Sequence, residues 1–429
     1  MRKYNAFIFE DYLFDEAKKT LELHYSFDGS LRFSETYCFD FDFVEYDKQA
    51  LDRAAELLFF MAGVSYFKAY LPPKIEIKKG TLDTETAGFL SKTYQRGLGE
   101  FFYVNKLDPN TTINFPVNSN TLTAIKLPNQ KGLLVGVGGG KDSLVSIELL
   151  RDKTDISTWR VGQQEQFTPL VERIGLPHYW VKRHFDHSLL ELNSNGAFNG
   201  HIPISAILAC AGTVLAILSG HRDIVVSNEQ SANDPTLTYQ GATINHQYSK
   251  SSEFEQDYKI VLKRLFDDSI RYYSLLRPLS ELYVAKKFAE EGFEKYKDVF
   301  SSCNRAFARG GNHVYWDGTC PKCAFIFLVL TPFVERQELE NIFNGKNLLL
   351  DPELEATYRQ LLGIEGDKPL ECVGEIRESR SAMVMAQKVY PELNKYKFEP
   401  PVNYDYQALY SHNMPDNIYN LIEPGLLNA

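Results

Sequence analysis

A glycine cluster ending in Lys-Asp-Ser, Val135-Gly136-Val137-Gly138-Gly139-Gly140-Lys141-Asp142-Ser143, constrains this chain more than any other feature. The apolar run from Gly132 to Val137 reads as a buried parallel strand, and Leu144, Ile147 and Leu149-Leu150 recur at helical spacing. The cluster therefore joins a strand to a helix. Glycines without Cβ atoms let backbone N–H groups approach a polyanion, and the helix that follows contributes the positive end of its dipole. Gly138, Gly139, Gly140, Lys141, Asp142 and Ser143 are the candidate phosphate-binding residues, with Asp142 also a candidate magnesium ligand.

Two commoner glycine motifs do not fit. A Walker loop needs Gly where Val135 stands and Ser or Thr where Asp142 stands. A dinucleotide loop begun at Gly136 meets Lys141 at its third glycine. The cluster resembles instead the Ser-Gly-Gly-x-Asp-Ser signature of the ATP pyrophosphatases, with Gly138 in place of the first Ser. That resemblance implies cleavage of ATP between its α and β phosphates and adenylation of a carboxylate, amide or similar oxygen.

The rest of the chain supports a multidomain α/β reading. Residues 1–125 alternate aromatic and polar residues, as in 21–27 and 37–43, and predict an N-terminal α+β domain with an antiparallel sheet and a helix over 51–70. Strand candidates at 132–137, 157–162, 178–183 and 223–227 alternate with helices near 142–151, 167–174 and 204–219, which predicts a doubly wound parallel sheet over 126–335. The region 336–429 reads as helical over 335–343, 352–362 and 374–390, with an irregular tail from Phe398.

Ligands of such sheets gather at the carboxyl ends of the strands. The polar run Ser227-Asn228-Glu229-Gln230 follows a buried strand, so Ser227, Asn228 and Gln230 are candidate substrate contacts and Glu229 a candidate magnesium ligand or base. Asn245 and Lys250 are further binding candidates, while His246 is either a general base or a structural histidine. Cys303, Cys320 and Cys323 form C-x16-C-x2-C beside Arg305 and Lys322. Three readings stay open for them: zinc ligands completed by His313 or Cys372, catalytic thiols of lowered pKa, or inert buried cysteines.

Other classes of function are disfavoured. A net charge of −10 argues against nucleic acid as the main partner. The uncharged stretch 202–220 imitates a membrane span, yet its place in a strand-helix alternation predicts a helix buried on a sheet. The short apolar run near Met1 does not make a signal peptide, and the scattered cysteines fit a reduced, cytoplasmic compartment.

Taken in order, the glycine loop, Ser227 to Asn233, Asn245 to Lys250, Cys303-Asn304-Arg305, Cys320-Pro321-Lys322-Cys323-Ala324-Phe325 and Glu371-Cys372-Val373-Gly374 resemble the MurL family of UDP-N-acetylmuramoyl-L-alanyl-L-glutamate epimerases. The resemblance implies an ATP-pyrophosphatase (HUP-like) sheet and an AMP-forming, magnesium-dependent epimerisation of a terminal L-glutamate through an acyl-adenylate. On this reading Lys250, Arg277, Arg305 and Lys322 hold the glutamate side chain or the UDP phosphates. Proton transfer falls to the cysteines, His246 or Glu229, with Asp142 at the nucleotide. The resemblance also implies a UDP-N-acetylmuramoyl-dipeptide substrate and functional coupling to a ligase that adds L-glutamate. Two rival readings share the loop. One is an RNA thiolase or a 7-cyano-7-deazaguanine synthase-like enzyme, although the third C-x2-C cysteine of such synthases falls at Ile326. The other is a nucleotide sensor without turnover.

Overall fold

The structure is a computed structural model that describes residues 3–119, 122–162, 164–309 and 314–427. Its main sheet is built from β1 (Ala6–Asp15), β2 (Thr20–Phe27), β3 (Leu31–Phe39), β4 (Lys74–Ile77), β5 (Leu133–Gly136), β6 (Ile156–Val161), β7 (His178–His184) and β8 (Asp223–Val226). A small hairpin follows, β9 (Leu237–Tyr239) with β10 (Ala242–Ile244), and β11 (Arg271–Ser274) returns to the main sheet. The strand order in that sheet is β11-β8-β5-β6-β7-β3-β2-β1-β4.

The chain is thus mixed α/β around a sheet whose halves have different characters. β11, β8, β5, β6 and β7 are mutually parallel and wind both ways from β5. The crevice between β5 and β8, where the winding reverses, is the standard ligand position of such a sheet. β1, β2 and β3 form the expected antiparallel meander, flanked by the parallel edge strand β4. The two halves meet where β3 pairs antiparallel with β7, Thr36 opposite His184 through Phe39 opposite Val181. Hydrogen bonding therefore runs uninterrupted across the two segments separated at residue 125.

Hydrophobic burial explains the helices that cover the sheet. The uncharged segment 202–220 forms the helix Ile204–Ser219, which ends at Gly220 in the left-handed conformation (φ +76°). It packs on β8 and on the helix Lys48–Ala62, and its residues from Thr213 to Ser219 are all buried. Its apolar character is that of a core helix. No helix among the described residues is long and apolar enough to cross a membrane.

Three sequence expectations change at the element level. The strand predicted over 37–43 ends at Phe39, since the β7 pairing stops there and the Phe41 N–H turns back to the Phe39 carbonyl. The helix predicted over 51–70 is split at Gly63, where an added Cβ would lie 2.6 Å from the Phe9 ring. The tail from Phe398 is not wholly irregular: Asp416–Leu427 is a helix despite Pro424, anchored by buried Ile418, Ile422 and Leu426 at four-residue spacing. The helices Arg336–Ile342, Glu355–Leu361 and Ile376–Gln387 lie within the predicted spans.

Candidate functional site

A cavity of about 470 Å³ opens at the carboxyl ends of β5, β6 and β8. The glycine loop forms one wall. Gly139 has φ +100°, and a Cβ there would come within 2.4 Å of Phe167 and 3.0 Å of the Ser301 carbonyl. Gly140 is equally crowded, its Cβ position 2.9 Å from Ser302, and it caps the helix Lys141–Leu150 without any side-chain acceptor. The first N–H groups of that helix therefore remain available to an anion. Gly138 differs from both, with nothing within 4 Å of its Cβ position. Ser143 lines the cavity and donates to the Gly140 carbonyl at 3.2 Å. Arg160, on β6, braces the loop by donating to the Val137 carbonyl at 2.8 Å.

Lys141 does not face the cavity. Its buried ammonium bonds to Asp142 and, at 3.0 Å, to Glu281. Burial works against its charge, but the two carboxylates outweigh it and raise the lysine pKa. Asp142, Glu229 and Glu281 bring carboxylate oxygens within 4.8 Å of one another. Glu281 was not among the sequence candidates, because a lone Glu at a helix start reads as ordinary first-turn chemistry. Burial, only partly offset by Lys141, raises its pKa to about 7. One of its oxygens is buried without a hydrogen-bond partner, as a cation-binding carboxylate would be before its ion arrives.

The same cavity also carries a thiol. Cys372 lines the cavity, with its sulfur 3.1 Å from the Lys250 ammonium and 3.7 Å from His246 Nε2. The other imidazole nitrogen of His246 bonds to the carboxylate of Glu100, contributed by the short helix Gly99–Val104. Burial alone would raise the Cys372 pKa, but Lys250 and then His246 overcome it and hold it down at about 5. Burial likewise opposes the charge on His246, yet Cys372 and Glu100 together lift its pKa to about 9. Near neutral pH the pair is a thiolate beside an imidazolium, oriented by a carboxylate, an arrangement suited to a nucleophile or a base.

The remaining sequence candidates separate by position. Ser227, Asn228, His246, Lys250 and Lys322 line the cavity, as do His201, Trp159 and Arg160, which the sequence did not single out. Arg277 is fully buried, pairs with Glu255 at 3.0 Å and donates to the carbonyls of Glu229 and Lys250, so in this structure it braces two site segments. Asn245 and Gln230 are used locally, Asn245 bonding to Ala232 and to the Gln247 N–H, and Gln230 to Asn233. Arg305 is held by Thr319 and Asp317 rather than by the cavity lining. The candidate catalytic thiols Cys303, Cys320 and Cys323 are all fully buried and are not among the residues lining the cavity. The cavity thiol is Cys372, and its commitment to Lys250 and His246 removes it as a partner for that trio. The other proposed partner, His313, lies outside the described residues.

Comparison with known sequences decides the family. The family model described as the MurL N-terminal domain matches residues 1–275, and the one described as the MurL C-terminal domain matches residues 299–397. The chain belongs to the MurL family. A relative from Xanthomonas oryzae pv. oryzae is 44% identical over 340 residues, covering 78% of this chain and 75% of its own. One from Salinispora tropica is 37% identical over 412 residues, covering 94% and 88%, and one from Micromonospora sp. is 36% identical, covering 94% and 90%. All three are named UDP-N-acetyl-alpha-D-muramoyl-L-alanyl-L-glutamate epimerase, and epimerases are isomerases. Membership in MurL agrees with the resemblance carried by the sequence motifs and gives no support to RNA thiolation or deazaguanine chemistry. The N-terminal MurL model spans both the antiparallel meander and the parallel half of the sheet.

Proposed function

We propose that the chain converts the terminal L-glutamate of UDP-N-acetylmuramoyl-L-alanyl-L-glutamate to D-glutamate, consuming ATP and releasing AMP and diphosphate, as a step in making peptidoglycan precursors. The observation that carries this reading is one cavity lined both by an anion-accepting glycine loop and by a low-pKa thiol.

The chemistry requires both features. A Cα proton beside a free carboxylate is very weakly acidic, because its removal adds charge to an existing anion. Attack of that carboxylate on the α phosphorus of ATP expels diphosphate and leaves an acyl-adenylate whose carbonyl no longer carries the carboxylate charge, so that its Cα–H is far more acidic. The winding of the sheet about β5 supports an ATP-pyrophosphatase (HUP-like) reading of the nucleotide wall. The free N–H groups after Gly140 would receive the diphosphate, and Ser143 stands beside them. Asp142, Glu229 and Glu281 offer the oxygen donors that magnesium prefers, and their partnerless oxygen fits that use. When bound there, the ion would draw charge off the phosphates.

Cys372 is the base in this scheme. Its thiolate takes the Cα proton and becomes a thiol, the electron pair passes into the enolate of the acyl group, and the cations Lys250 and His246 stabilise that charge. A solvent-derived proton added to the opposite face inverts the centre, the proton on Cys372 returns to solvent, and water cleaves the anhydride to D-glutamyl product and AMP. Lys322 adds a cation for substrate phosphates or the glutamate side chain. In this scheme the enzyme works in the cytoplasm, downstream of a ligase that attaches L-glutamate.

Incubation with the UDP-dipeptide and MgATP in D₂O tests the proposal. Stoichiometric AMP with Cα-deuterated D-glutamyl product is expected. Failure to form AMP or to exchange the Cα hydrogen would overturn the assignment.

A further inference from the structure

We propose that Cys303, Cys320 and Cys323 bind a zinc ion that fastens two segments of the cavity wall together. The claim stands on a cluster separate from the reaction centre and does not depend on which reaction occurs there.

The three sulfurs lie within 4.8 Å of one another and are fully buried. Cys303 Sγ and Cys320 Sγ are 3.9 Å apart, and Cys320 Sγ and Cys323 Sγ are 3.4 Å apart. Sulfurs sharing a tetrahedral zinc at about 2.3 Å stand roughly 3.8 Å from each other. The cysteines are all free, so no disulfide accounts for the approach. Three unneutralised thiolates in a dry interior would repel, whereas a shared cation draws three sulfurs to one point.

The backbone supplies what coordinated thiolates need. The Asp317 N–H points at the Cys303 sulfur at 3.5 Å, and the Cys323 N–H points at the Cys320 sulfur at 3.4 Å. Such N–H···S contacts orient metal-bound sulfur and disperse its charge. Cys320 and Cys323 also open the helix Pro321–Leu330, whose positive end favours thiolates. Soft sulfur donors in a short C-x2-C step select zinc over magnesium. The described residues supply three ligands, which leaves the fourth position to a donor beyond these cysteines.

The placement suggests what the ion does. Ser302 and Asn304 flank Cys303, Lys322 lies between the other two cysteines, and all three flanking residues line the cavity. Zinc at the trio would lock the 302–304 segment, against which Gly140 packs, to the helix start that carries Lys322.

Elemental analysis of full-length protein expressed with ample zinc, without chelators, tests the site. About one zinc per chain is expected, released when a mercurial reagent titrates the thiols. Cobalt exchange into the intact protein should give a thiolate-to-cobalt charge-transfer band, a readout that needs no variant to fold. Cys323→Ser should lose the metal, whereas Cys372→Ser should keep it in full. Protein that is active and metal-free, or a Cys320–Cys323 disulfide in its place by mass spectrometry, would overturn the proposal.

Discussion

The Lys250 ammonium lies 3.1 Å from the Cys372 sulfur across 122 residues of sequence. This contact, with His246, holds the Cys372 pKa down at about 5, which favours a thiolate inside the same cavity as the glycine loop. Removing the sulfur should therefore separate activation from proton transfer. Cys372→Ser is expected to keep ATP–diphosphate exchange while Cα hydrogen exchange falls by roughly 10²- to 10⁴-fold, the usual worth of a positioned base. Equal losses in both assays would place Cys372 outside proton transfer.

The ion pair also sets a pH window. The thiolate forms as pH rises through about 5, and the imidazolium is lost as pH rises through about 9. A bell-shaped kcat/KM profile with limbs near those values is expected. Glu100 helps to raise the His246 pKa, so Glu100→Gln should move the alkaline limb downward and leave diphosphate exchange unaffected. An alkaline limb that stays in place would show that His246 does not govern it.

Neighbouring glycines in the loop should respond in opposite ways. Gly138→Ser meets open space and should change stability by no more than about 0.5 kcal/mol. Gly139→Ala forces a Cβ into Phe167 at a positive φ and should cost about 1–3 kcal/mol, with loss of AMP formation. Thermal unfolding of the two variants, paired with an AMP assay, checks the contrast.

Arg277 is predicted to matter for folding first. Arg277→Ala would strand buried Glu255 and free the carbonyls of Glu229 and Lys250. Breaking such a buried pair costs about 3–5 kcal/mol, measurable by denaturant unfolding. Normal stability with a raised KM would return Arg277 to the substrate contacts.

Four strands of the parallel half were legible because each carries its own apolar run between turn residues, whereas the short edge strand β11, Arg271–Ser274, was not predicted and the strand order came only from the structure. The glycine loop announced itself through residue types that few other structures require. The reaction wall was not legible in that way. Glu100, His246 and Cys372 come from widely separated elements, and no spacing rule connects residues that only tertiary packing brings together. Sequence also ranks a charged residue as a binder by default. It could not show that Arg277 and Lys141 spend their charges inside the protein, where burial makes internal pairing obligatory. The Asp416–Leu427 helix was hidden because Pro424 masks a helical pattern that Ile418, Ile422 and Leu426 satisfy through burial.

The β3–β7 seam has an engineering consequence. Cutting the chain near residue 125 to isolate a minimal nucleotide-binding unit would unzip four opposed residue pairs, bare the outer edge of β7 to other chains, and remove Glu100 from behind His246. The half that resembles a self-sufficient nucleotide fold is thus mortgaged to the half that does not, and any smaller catalyst carved from this protein must keep the meander.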